Sequence, residues 1–120
     1  MRYRHFTSDE FDSPDDPGSG DKMNPQFMQL LDEARDIAGI PFRINSGFRT
    51  PKHNKKVGGS SNSSHLRGRA ADIACTHSSQ RFRIVAALIA AGFNRVGIAS
   101  SFIHVDNDNV KTPGVAWLYA

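Results

Sequence analysis

Two long stretches of the chain repeat apolar residues at helical spacing, and five shorter ones carry alternating, β-branched or aromatic residues. Phe27, Leu30, Leu31, Ala34, Ile37 and Ala38 fall on one side of a helix, because residues three and four apart share a face. Asn24 suits the cap before that helix and Pro25 its first position, while Gly39 ends it and Pro41 prevents its return. A second long helix is predicted from a Ser78 cap to Gly92, with Phe82, Val85, Ala86, Leu88, Ile89 and Ala90 as its apolar side. Thr50-Pro51 opens a shorter helix that runs through Val57 and stops at Gly58-Gly59.

The remaining apolar stretches predict strands. Phe42 to Ser46 alternates, Ala70 to Ala74 forms a second strand, and Arg95–Ile98 with Phe102–Val105 make a hairpin. The aromatic tail Val115-Ala116-Trp117-Leu118-Tyr119 supplies a last strand. The sum is an α+β fold, one compact domain over residues 1–120 with two main helices packed on a mostly antiparallel sheet. Two segments stand outside the pattern. Residues 7–22 mix acids and serines with Pro14, Pro17, Gly18 and Gly20, an acidic irregular arm that Phe6 and Phe11 can pin to the body. Residues 58–64 form a loop rich in glycine and serine, flexible by composition, that delivers His65.

Composition narrows the class. A chain of 120 residues with 38% hydrophobic and 22% charged content is that of a soluble globular domain. It has no run of about 18 apolar residues, so no membrane-spanning helix is expected. Met1 to Phe6 lacks the apolar stretch of a signal peptide, which predicts a protein that stays in the cytoplasm until something else releases it. The lone Cys75 excludes an internal disulfide and a cysteine-built metal site, and is expected as buried filler. A monomer is the default expectation. The net charge of +3 hides an asymmetry: six carboxylates and no basic residue between Asp9 and Asp21, then mostly basic residues from Arg43 to Arg83. Such a face attracts nucleic acid or an anionic wall polymer, or is simply solvated. No helix-turn-helix, zinc-finger or aromatic RNA-reading motif accompanies it, so no nucleic-acid partner is expected. The acidic arm lacks the fixed spacing and glycine of a calcium loop.

The chemistry concentrates on three residues. His65 ends the glycine-serine loop, Gly68 allows a sharp turn, and Asp72 lies on the strand that follows. Asp72 sits between Ala71 and Ile73, an expensive place for an unpaired carboxylate. In Phe102-Ile103-His104-Val105-Asp106, alternation sets Ile103 and Val105 on one face and His104 and Asp106 on the other. Catalytic zinc takes about three ligands of these types and leaves a position for water. Hydrogen-bonded structural histidines fit the same spacing, and residue chemistry alone leaves both readings open.

A longer match separates them. Ser63-Ser64-His65-Leu66-Arg67-Gly68-Arg69-Ala70-Ala71-Asp72 fits the pattern S-x-H-x-x-G-x-A-x-D at all five fixed positions. It resembles the D-alanyl-D-alanine zinc carboxypeptidases, a family that includes phage endolysins and is related to the hedgehog signalling domain. Ser46-Gly47-Phe48-Arg49-Thr50-Pro51 upstream and Phe102-Ile103-His104-Val105-Asp106 downstream resemble further blocks of it, so the likeness runs from about Phe6 to Trp117. It implies the hedgehog/D-Ala-D-Ala peptidase-like fold, one zinc per chain on His65, Asp72 and His104, and hydrolysis of peptidoglycan stem peptides. It further implies Arg49 as the arginine that steadies an oxyanion or grips a substrate carboxylate, and Ser63 as a residue that binds substrate or shapes the loop.

One position departs from the family. Many relatives carry an acidic general base three residues before the last histidine, and here that residue is Ser101. Asp106 is the expected substitute, because two positions on a strand keep it on the face of His104. Its other reading is to orient a ligand or Arg49. Asp108 is a weaker candidate, and His53 and His77 are expected to be solvated. A leaderless domain of this type suits a phage or prophage lysis enzyme, and the missing acid keeps open a zinc-containing module that binds wall or partner without hydrolysis.

Overall fold

Helix α1 spans Pro25–Ala38, and the residues at its ends explain its limits. The Asn24 side chain accepts the Phe27 backbone N–H at 2.8 Å, Pro25 fills the first turn, and Gly39 closes the helix at a φ of 67°. The computed structural model describes residues 3–119; Met1, Arg2 and Ala120, the ends of the domain expected from the sequence, lie outside them. Helix α2 is Pro51–Lys56, with the Thr50 hydroxyl accepting the His53 N–H at 3.1 Å. Helix α3 is Ser78–Ala91, closed by Gly92.

The strands are β1 (Ile44–Ser46), β2 (Ala70–Ala74), β3 (Arg95–Ile98), β4 (Phe102–Asp106) and β5 (Val115–Leu118). They form one sheet in the order β1-β2-β4-β3-β5. All pairings are antiparallel except that of β5 with β3. The predicted α+β fold and hairpin are therefore present, and β5 adds a parallel edge. Helices α1 and α3 pack on each other. Phe27, Leu31, Ile84 and Leu88 join Ile73, Val96, Ile103 and Val105 in one continuous core. Each such side chain contributes roughly 2 kcal/mol of burial. Because Ile103 and Val105 point into that core, the residues between them point away from it.

Several details differ from the sequence reading: β1 begins at Ile44 rather than Phe42, and α2 ends at Lys56 rather than Val57. On α3, Ile84, Ala87 and Leu88 face inward, whereas Phe82 and Ile89 are 77% and 57% exposed. The helix is apolar around most of its girth, so its period does not fix which side turns inward; contact with α1 does. His77 holds the cap position without a side-chain bond, and Ser78 is the first helical residue. On α1, Met28 is buried and Ile37 is half exposed.

The arm is more ordered than its composition suggests. Ser8–Phe11 and Ser19–Lys22 are short 3-10 turns, and the Asp12 carboxylate accepts the N–H groups of Gly18 and Gly20 at 3.0 and 2.7 Å. Phe6 and Phe11 pin it as expected, both buried and edge-on at 5.4 Å. The Phe48 N–H donates to Phe11 O at 2.9 Å, and a Cβ on Gly47 would sit 2.7 Å from Phe11 Cα. The arm thus presses directly on the backbone of residues 47–48, which lies behind the site described next.

Candidate metal centre

Sheet register gathers the chemistry into a row. Ser46 pairs with Asp72, Asp72 with His104, His104 with Gly97, and Gly97 with Trp117. These residues alternate with the core-facing ones, so they share the opposite face. His65 reaches the same place from a 3-10 turn, Ser64–Arg67, before β2. Ser63 Oγ accepts the His65 N–H at 3.2 Å, and Gly68, at a φ of 67°, turns the chain into the strand. The Arg49 N–H donates to His65 O at 3.1 Å and ties this turn to the segment after β1.

Three ligand-type atoms converge. One atom each from His65, Asp72 and His104 lies within 4.8 Å of the other two. His65 Nε2 is 3.4 Å and His104 Nδ1 is 2.9 Å from Asp72 Oδ1. The other nitrogens face outward to acceptors. His65 Nδ1 lies 2.7 Å from Gly47 O, so its N–H donates there and Nε2 is left with its lone pair toward the cluster. His104 Nε2 lies 2.8 Å from Asp106 Oδ2, which turns Nδ1 inward by the same logic.

This donor set suits zinc. Two donors each about 2.0–2.1 Å from a tetrahedral ion lie about 3.3 Å apart, close to the 3.4 and 2.9 Å that separate Asp72 Oδ1 from His65 Nε2 and His104 Nδ1. Each histidine has an outer acceptor that fixes its ring, the arrangement that orients metal-binding imidazoles. Two nitrogens and one carboxylate oxygen leave a position for water or substrate.

Complementary charges surround the group. Burial pushes the Asp72 carboxyl up, but the His104 and His65 imidazoles beside it outweigh burial and keep it below the ordinary carboxylate range. Burial likewise opposes charge on His104, and the Asp106 and Asp72 carboxylates on its two nitrogens override it and raise it. Asp106 is 1% exposed; burial would raise it, while His104 and Arg95 lower it. Arg95 Nε donates to Asp106 Oδ1 at 2.7 Å. A carboxylate this hidden needs such a cation.

A cleft of about 370 Å³ opens over the row. Arg49 lines it and is anchored from three sides: Nε donates to Ser46 Oγ at 3.1 Å, Nη1 to Asn54 Oδ1 at 3.2 Å, and Nη2 lies 3.5 Å from Asp72 Oδ2. Ser63 also lines the cleft while shaping the His65 turn. Trp117 and Tyr119 form the wall on the β5 side, with ring centroids 5.6 and 6.5 Å from His104.

Of the residues singled out in the sequence, Arg49, Ser63, His65, Asp72, His104 and Asp106 line this cleft. Asp106 lies against His104 Nε2, on the side away from the convergent atoms. Asp108 is buried beside it and bound to Ser64 Oγ at 2.6 Å and to Arg67. Ser101 is exposed in the turn before β4, and His77 is exposed at the start of α3. Neither these two nor His53 lines the cleft. Arg95, Trp117 and Tyr119 were not anticipated. Counting back from the hairpin turn would have set Arg95 opposite Asp106, and alternation along the tail puts Trp117 and Tyr119 on one face.

Among the described residues, no helix is long and apolar enough to cross a membrane. No individually curated protein matches the sequence. The sequence model of the family described as Peptidase M15 matches residues 4–106, from just before the arm to the end of β4, with all three convergent residues inside the match. The chain belongs to the Peptidase M15 family.

Proposed function

We propose that the protein is a zinc-dependent peptidase that hydrolyses peptide bonds in bacterial peptidoglycan stem peptides, as a D-Ala-D-Ala carboxypeptidase or an L-Ala-D-Glu endopeptidase. The observation that carries this reading is the convergence of His65, Asp72 and His104 beneath an open cleft in a Peptidase M15 chain. In this reading the three side chains hold one zinc. Bound there, zinc supplies Lewis acidity, which acidifies water and polarises a carbonyl.

The chain's own groups do the rest. Arg49, held by Ser46, Asn54 and Asp72, offers its remaining N–H groups to a substrate carboxylate or a developing oxyanion. Asp106, on His104 Nε2 and Arg95, orients the His104 ring, the role that its position favours over proton transfer. Ser63 keeps the His65 turn in shape and borders the substrate. The small open domain suits an enzyme released onto the wall, such as a phage or prophage lysis enzyme.

The test is direct. Purified protein should carry close to one zinc per chain, and mass spectrometry should show a defined muropeptide cut at a single bond into two fragments. His104→Ala should abolish both, and full cleavage by that variant would sink the assignment. A second reading is motivated by Ser101 and by Asp106, whose buried carboxylate is already engaged. It is a zinc-containing module that binds wall peptide without cutting it. Stoichiometric zinc with no product from any muropeptide at high protein concentration favours that module.

A further inference from the structure

The family match ends with β4, yet β5 brings two aromatic side chains to the cleft. Tyr119 continues the ladder of β5, its N–H donating to Ile98 O at 2.9 Å. Its ring packs on Phe102 at 5.2 Å and on Trp117 at 6.3 Å, and Trp117 lies under the Arg95 guanidinium at 5.0 Å. Gly97 makes this approach possible. A Cβ there would fall 2.6 Å from both Trp117 Nε1 and Tyr119 Cε2, so a larger residue would lift both rings off the sheet.

Arg49 and Tyr119 come to the convergent atoms from opposite ends of the row, one after β1 and the other after β5. Arg49 has already committed N–H groups to Ser46 and Asn54 and turns Nη2 toward Asp72, so only part of its guanidinium is left for a substrate oxygen. A carbonyl oxygen gaining charge in this cleft is best stabilised by a second donor fixed on a rigid element. Tyr119, a residue 42% exposed that lines the cleft, carries a hydroxyl on a ring held by its aromatic neighbours and by a backbone bond.

We propose that Tyr119 is a catalytic residue: its hydroxyl donates a hydrogen bond to the scissile carbonyl oxygen as negative charge develops there, across the cleft from Arg49. Trp117 and Gly97 are positioning residues that set the ring in place. The inference rests on the peptidase reading above.

Tyr119→Phe removes the hydroxyl and keeps the ring. The expected result is a kcat roughly 100-fold lower, with KM within about twofold and zinc content unchanged. A second readout needs no turnover. Trp117 is the chain's only tryptophan, so its fluorescence reports binding of the phosphinate analogue of D-alanyl-D-alanine, whose tetrahedral anion mimics the transition state. Tyr119→Phe should weaken the phosphinate about as much as it lowers kcat and leave product affinity alone. Gly97→Ala should shift the Trp117 emission and lower kcat, and adding Tyr119→Phe to it should cost little more. Unchanged phosphinate affinity in Tyr119→Phe overturns the assignment, as does a raised KM with kcat intact. If wild-type protein binds the phosphinate without turnover, the phosphinate comparison decides alone. Wild-type protein that neither cuts muropeptide nor binds phosphinate overturns the peptidase reading, and this assignment with it.

Discussion

Ile103 and His104 are neighbours on β4 and almost equally hidden, at 0% and 8% exposure, yet different forces hold them. Ile103 lies among Ile73, Ile98 and the helices, where burial of apolar surface is enough. His104 lies between two carboxylates, and each of these has a further partner: His65 and Arg49 for Asp72, Arg95 for Asp106. One face of the sheet is therefore stabilised by an area, and the other by a chain of complementary charges. An apolar face tolerates loss of any one member at a graded cost. A charged face does not, because removing one link leaves its neighbour buried and uncompensated.

The largest difference should appear when one residue is removed from each face. Ile103→Ala is expected to cost about 4 kcal/mol of stability in urea unfolding, with normal zinc content in the fraction that remains folded. Asp72→Ala should instead abolish zinc binding and cleavage in whatever fraction stays folded, since it deletes the oxygen on which both histidines converge. Normal zinc content in folded Asp72→Ala would break the distinction between the faces.

A smaller effect is expected one step away from the ligands. Arg95→Met keeps most of the stem but removes the cation from Asp106, and should cost about 3 kcal/mol. It should also slow turnover, because His104 loses the carboxylate setting that orients it. Arg95→Lys should recover part of the stability and less of the rate, since an ammonium lacks the planar fork that bonds Asp106 and covers Trp117. Equal recovery of both would mean that Arg95 acts as a point charge alone.

The same contrast explains what could be read from the sequence. Elements fixed by local chemistry were legible to the residue: α1 from Asn24, Pro25 and Gly39, β2 from Ala70 to Ala74, and β3 from Arg95 to Ile98. The inward face of α3 was not, because Phe82, Ile89, Ile84 and Ala87 all satisfy an apolar pattern and only contact with α1 chooses among them. The two turns of the arm have no period to detect, as a 3-10 turn is too short to repeat. The convergence of His65, Asp72 and His104 was foreseen from the motif. Their supports, Gly47 O, Arg95 and Asp108, depend on long-range pairing and so on strand order. The aromatic wall was hidden for the same reason, since β5 joins β3 in parallel rather than following a local turn.

Acid should separate the two faces with the smallest effect of these tests. Burial alone would raise the Asp108 carboxyl, but the Ser64 hydroxyl and the Arg67 guanidinium outweigh it and hold it at about 2. An unfolded aspartate titrates near about 3.9. The folded value is the lower one, so the contribution is complete above about pH 4 and disappears as pH falls toward 2. Arg67 is partly exposed and its attraction is screened, which limits the effect to about 1–2 kcal/mol. Asp108→Asn should therefore lower stability by that amount at neutral pH and flatten the decline between pH 4 and 2. Ile103→Val, on the apolar face, should lower the curve by about 1 kcal/mol at every pH without changing its slope. Urea midpoints measured from pH 2.5 to 7 distinguish the two shapes. If the Asp108→Asn curve simply runs parallel to wild type, the carboxylate is not what ties Ser64 and Arg67 down, and packing alone holds the turn that carries His65.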